Sequence, residues 1–150
     1  MHIENLTRPE LIFPALEAED REEVLRAFSE RLAEERVVDD ASELYRKLLE
    51  REQLGSTGIG SGVAIPHCKL DHLSEAVLAI GISRKGVEFG AMDSEPVRLF
   101  FLLVSPTDAP AIHLQVLAAI SKWIKTDRHV PRMLKLKDRG AIYHMLEEEG

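Results

Sequence analysis

The sequence predicts a three-layer α/β/α domain built on a mixed sheet of about five strands, spanning residues 1–150 as one unit. Three observations carry that prediction. Residues 97–104, VRLFFLLV, form an almost continuous apolar run, the pattern of a strand covered on both faces. Segments with apolar residues at helical spacing precede and follow it, and such helices must bury their apolar stripes against a sheet. A chain of 150 residues with no internal repeat, low-complexity tract or linker-like stretch is long enough for a single core.

The elements follow in order. Residues 10–16 contain the short apolar run Leu11, Ile12, Phe13, broken by Pro14, and read as a first edge strand. From Glu19 the period changes: Val24, Leu25, Phe28, Leu32 and Ala33 share one helical face. Asp40 is a good N-cap for a second helix through Leu44, Tyr45, Leu48 and Leu49, which Gly55 ends. Val63, Ala64 and Ile65 suggest a short buried strand, with Pro66 pinning its end and leaving His67 displayed on a loop. A strand over 76–82, a turn at 84–86, a short strand over 87–89 and a turn at Asp93 and Ser94 lead into the central run. SPTDAP then starts a helix, with Thr107 or Asp108 as N-cap and Pro110 in the first turn. His113, Val116 or Leu117, Ile120 and Ile124 lie along one face of it. Two further helices, over 127–136 and 138–148, complete the chain.

Composition excludes several classes. A net charge of −7 argues against sequence-independent nucleic-acid binding, which depends on Lys and Arg neutralising phosphates. Acids concentrate in 17–40 and bases in 122–139, an asymmetry that fits either solvated helix faces or the steering of a partner. The longest apolar run, 99–104, is far short of the ~20 residues of a membrane span, so no direct membrane insertion is expected. MHIENLTRPE lacks a basic region followed by an apolar one, and the single cysteine, Cys68, suits a reducing compartment; a cytoplasmic protein is expected.

The chemistry gathers in GSTGIGSGVAIPHCKL, residues 55–70. Glycines at 55, 58, 60 and 62 permit positive φ and close approach to a ligand, and Ser56, Thr57 and Ser61 supply hydroxyls. His67, presented at a strand end, is a candidate nucleophile. Cys68 invites a Cys-His reading, but neighbours on an extended chain point to opposite sides. His67, Cys68 and His72 show no zinc-ligand spacing, and no metal is expected. His2, His72, His129 and His144 sit in no motif and read as surface groups. Arg51 falls in a helix's last turn, where a cation complements the helix dipole whether or not it has a function. His113, alone on an apolar stripe, reads either as a satisfied core residue or as a neutral donor to an anion near a helix start. The glycine loop satisfies neither the Walker nor the dinucleotide fingerprint, since no Lys-Ser/Thr follows and Val63 occupies the sixth position counted from Gly58. A kinase using ATP is thus not expected.

GSTGIGSGVAIPH resembles the active-site signature of phosphotransferase-system enzyme IIA domains, type 2, of the fructose, mannitol and nitrogen-regulatory class, and is closest to the nitrogen type. The resemblance runs from about residue 11 to the C-terminal helix. It implies that His67 accepts a phosphoryl group through Nε2 from a phosphohistidine on a carrier such as HPr, with no cofactor. It also implies a role for Arg51 near the phosphoryl group, and for His113 as the second histidine in the pattern matching HLQVLAAIS. Ser56 and Thr57 are the hydroxyls expected to bind phosphate. Two outputs remain open: a regulatory module whose phosphorylation state selects a target protein, favoured here, or a transport component passing phosphate to a cysteine of a IIB domain.

Overall fold

The computed structural model describes residues 1–149. After a turn of 3-10 helix at Pro9–Leu11 come β1 (Ile12–Phe13), α1 (Arg21–Glu34), α2 (Ala41–Gln53), β2 (Gly58–Gly60), β3 (Val63–Ala64) and β4 (His67–Leu70). The chain continues through β5 (Val77–Val87), β6 (Val97–Pro106), α3 (Pro110–Lys125), α4 (His129–Leu134) and α5 (Arg139–Glu149). The strands form one mixed sheet in the order β1-β5-β6-β3-β2, with β4 also paired to β6. Strand β6 is central: β5 lies antiparallel on one side, and β3 and then β4 lie parallel on the other.

The alternation along β6 explains the layers. Phe100, Leu102 and Val104 enter a core with Leu25, Phe28, Leu44 and Leu48 of α1 and α2. Leu99, Phe101 and Leu103 enter a second core with Val116, Ile120 and Trp123 of α3 and with Ile142 and Leu146 of α5. Both faces are therefore covered, as the apolar run demanded, and the three-layer arrangement holds with six strands rather than about five. Asp20 and Asp40 cap the first two helices, accepting from the backbone N–H groups of Glu23 and Ser42 at 2.9 Å each.

Several local expectations change. No reversal occurs at 84–86: β5 runs through as one strand with a bulge between Ile82 and Val87. Gly86, at φ +82°, supplies the left-handed residue, and the Arg84 guanidinium ties the bulge down by donating to the carbonyls of Pro14 (2.9 Å) and Leu134 (2.6 Å). The α3 N-cap is Ala109, without a side-chain cap, rather than Thr107 or Asp108. β6 extends to Pro106, and the Thr107 N–H still bonds to Leu70 O at 3.1 Å, so the helix starts later. His129 is buried rather than on the surface; its ring lies 4.6 Å from that of Trp123, and Nδ1 donates to the Trp123 carbonyl at 2.9 Å. His2, His72 and His144 are exposed as expected.

Candidate functional site

His67 opens a strand rather than sitting on a loop, and the cause is the length of β6. Beyond the register pairs Val63 with Leu99 and Ala64 with Phe100, β6 has free ladder positions, and the chain rejoins them at His67 with Leu103. Pro66 makes the gap between β3 and β4, since it has no N–H to donate, while its carbonyl accepts from Leu103 N at 2.9 Å. On β4 the side chains alternate: Cys68 and Leu70 enter the core against α1 and α2, so His67 and Lys69 face the other way, towards α3. Cys68 is accordingly no partner for His67, and burial pushes its thiol up to about 12.

No strand pairs with β4 on its far side among the described residues, and α2 and α3 both border the sheet's edge there. They leave a cleft of about 490 Å³ lined by Lys47, Glu50 and Arg51 from α2 and Leu54 just after it, by His67, Cys68 and Lys69 from β4, and by His113, Leu114 and Leu117 from α3. Three residues that the sequence singled out therefore converge from a helix end, a strand start and a helix start. The His67 and His113 ring centroids are 5.4 Å apart.

One hydrogen bond assigns the His67 proton. His67 Nδ1 lies 2.7 Å from the Ile65 carbonyl oxygen. A carbonyl only accepts, so Nδ1 carries the hydrogen and the lone pair resides on Nε2, which has no partner among the described residues. Burial lowers the His67 pKa below its ordinary 6.5, and the Arg51 and Lys69 charges lower it further, so the ring is neutral at pH 7. His113, 5% exposed, meets the Ser105 hydroxyl at Nδ1. Burial first, and then the nearby His67 and Lys69, bring its pKa down to about 4. The Ser105 hydroxyl both donates and accepts, so the neutral ring carries one N–H that this contact does not assign to Nδ1 or Nε2. One arm of Arg51, Nη1, donates to Gly55 O at 2.7 Å and fixes the guanidinium at the cleft.

Ser56 and Thr57 lie elsewhere. The Ser56 hydroxyl donates to Phe89 O and accepts from Gly58 N, each at 2.9 Å, and Thr57 is buried with its hydroxyl on the Glu52 carboxylate. Neither lines the cleft, and both hydroxyls are engaged in shaping the glycine loop. Around them the chain forms a hairpin, with Ser61 and Gly62 at φ +58° and +78° between β2 and β3. The sequence reading missed Lys69, Ser105 and Glu52. Lys69 was readable two residues after His67 on an extended chain, and Glu52 at the spacing Leu44, Leu48, Glu52, an acid on an apolar stripe. Ser105 carried no such signal. Among the described residues no group of three or more His, Cys, Asp or Glu side chains is arranged to hold a metal.

An open mixed sheet covered by helices thus carries two neutral histidines and an arginine at its edge. Residues 5–149 match the family model described as phosphoenolpyruvate-dependent sugar phosphotransferase system, EIIA 2, and the chain belongs to that family of phosphotransfer proteins. It is 35% identical over 146 residues to a nitrogen regulatory protein of Bradyrhizobium diazoefficiens, covering 97% of this chain and 95% of that one. It is 34% identical over 111 residues to a fructose-specific EIIA component of Haloferax volcanii, covering 74% and 72%. The crystal structure of the nitrogen regulatory protein IIA-Ntr from Neisseria meningitidis superposes with a TM-score of 0.89 at 27% identity, covering 96% of this chain and 98% of that one. No helix among the described residues is long and apolar enough to cross a membrane.

Proposed function

We propose that His67 is a phosphoryl acceptor, taking the group from a phosphohistidine on HPr or its nitrogen-type counterpart, and that the phosphorylation state of the protein selects a regulatory target. The observation that carries this is the Nδ1 bond to Ile65 O, which leaves the nucleophilic lone pair on Nε2 in a ring kept neutral by burial. In the transfer, the donor P–N bond breaks with its electron pair returning to the donor ring, and a new P–N bond forms at His67 Nε2. One phosphoramidate replaces another, so the step needs chiefly in-line positioning and charge neutralisation. Arg51 and Lys69 supply the latter, with the neutral His113 ring beside them as a hydrogen-bond donor. Leu54 and Leu114, 86% and 67% exposed at the mouth of the cleft, favour a protein over a small molecule as donor. The likeness to nitrogen regulatory proteins supports the regulatory output.

The likeness to a fructose-specific component favours a second reading, in which His67 passes its phosphoryl group to a cysteine on a IIB protein. Incubation with phosphoenolpyruvate, enzyme I and an HPr-like carrier should label His67 alone, with an acid-labile, alkali-stable bond, and His67→Ala should abolish the label. Persistent labelling of that variant would show that another residue is the acceptor. Turnover with a IIB protein selects transport; a binding partner that discriminates phosphorylated from unmodified protein selects regulation.

A further inference from the structure

Glu52 is an acid on the buried face of α2, one helical step beyond Leu44 and Leu48, and it is 2% exposed. A leucine there would continue the stripe, whereas a buried carboxylate must be met by donors. Thr57 meets both oxygens: its N–H donates to Oε2 at 3.1 Å and its hydroxyl to Oε1. The order of bonds continues from there. The Thr57 carbonyl accepts from Ile65 N at 3.0 Å, and the Ile65 carbonyl accepts from His67 Nδ1 at 2.7 Å. On the far side, Pro66 O accepts from Leu103 N at 2.9 Å, so the Ile65-Pro66 step is held from both ends.

We propose that Glu52 is a positioning residue for His67, acting through Thr57 and Ile65 to keep the ring hydrogen on Nδ1 and the lone pair on Nε2. The inference deepens the assignment of His67 as phosphoryl acceptor and rests on it for its functional consequence. A free glycine loop would let Ile65 turn its carbonyl away, and the imidazole would then exchange its proton between the two nitrogens. Only the fraction with a bare Nε2 can attack. The carboxylate also reaches the loop from the residue next to Arg51, so a single turn of α2 sets both the nucleophile's tautomer and a cation at the cleft.

The test reads the tautomer directly, by ring 15N chemical shifts of His67 in the unphosphorylated protein above pH 7 with no partner present. Wild type should show a protonated Nδ1 and an unprotonated Nε2; a protonated Nε2 in wild type overturns the proposal without any variant. Glu52→Leu fills the apolar stripe but offers no acceptor. Its ring signals should move towards the average of two tautomers, and transfer from a phosphorylated HPr-like carrier should slow by about tenfold or more at saturating carrier, with KM changed by less than about threefold. Glu52→Gln keeps an acceptor for the Thr57 N–H and a donor for its hydroxyl and should restore the wild-type tautomer. A folded Glu52→Leu protein with the wild-type tautomer and rate would reduce Glu52 to a structural role. Failure of wild type to accept phosphate would sink the acceptor assignment and leave the tautomer measurement standing.

Discussion

Replacing His113 by alanine separates two consequences that the structure ties together. The first bears on the proposed transfer: the neutral ring lies 5.4 Å from that of His67 in the same cleft, where it would donate to a phosphoryl group carried by His67. Loss of one preorganised donor to developing charge slows transfer by about 10²–10³. The second is structural, because the ring also satisfies the fully buried Ser105 hydroxyl. Leaving that hydroxyl without a partner costs about 1–3 kcal/mol. At ~2–4 °C per kcal/mol for a domain of this size, the melting temperature should fall by roughly 2–12 °C. Adding Ser105→Ala removes the stranded hydroxyl, so the double variant should regain part of the stability while its transfer stays slow. Transfer would be followed by rapid quench from a labelled carrier and expressed per folded molecule from the melting curve. A wild-type rate for His113→Ala on that scale, or recovery of rate in the double variant, would refute the donor role.

Three further expectations follow from the same geometry. Cys68, with its thiol pushed up to about 12, should resist alkylation at pH 8 in the native protein and react readily in denaturant; equal rates would contradict its burial. His113 has a folded pKa of about 4 against an ordinary 6.5, so between those values the unfolded chain binds the extra proton and stability falls as pH drops below about 6.5. Denaturant midpoints should show His113→Gln losing less stability than wild type from pH 7 to pH 5, and identical slopes would contradict the shift. Gly81→Ala would place a Cβ 2.8 Å from Phe28 Cζ, a ring packed edge-on against Phe13 and Phe100, and should cost about 1–3 kcal/mol in thermal denaturation. An unchanged melting curve would mean the core yields there.

The layers were legible in the sequence because burial on both faces leaves a mark: six consecutive apolar residues in 99–104, and helices whose apolar positions repeat at three and four. The helix bounds were legible where a side chain caps the end, at Asp40, and were misplaced where none does, at Ala109. Residues 84–86 read as a turn because Arg-Lys-Gly is turn-like locally, whereas the bulge is held by carbonyls of Pro14 and Leu134, some 50 to 70 residues away in the chain. His129 read as a surface group for a similar reason, since its burial depends on Trp123 folding over it. Ser56 and Thr57 show the limit for sites: a hydroxyl beside glycines suits a phosphate cradle, but only the fold reveals that Glu52 and Phe89 have already taken both.

The cleft has an electrostatic logic that the two helix ends make explicit. α3 begins at Pro110 without a side-chain cap, and the positive end of its dipole lies at the end of the helix that carries His113. α2 ends on the opposite polarity, with carbonyls whose partial negative charge would repel a phosphoryl group. Arg51 offsets that end, because Nη1 binds the Gly55 carbonyl while the remaining guanidinium N–H groups are left for other acceptors. A lysine at 51 would place a point charge there but lacks the rigid fork that meets a carbonyl and an anion together. Gly55, with φ +151° and no heavy atom within 4 Å of the place a Cβ would occupy, lets the chain leave the helix with its carbonyl turned to that guanidinium. Neutral histidines and a cation at the carbonyl end of α2, in a cleft that Glu50 also lines, suit the anion proposed here, a phosphoryl group bonded to His67.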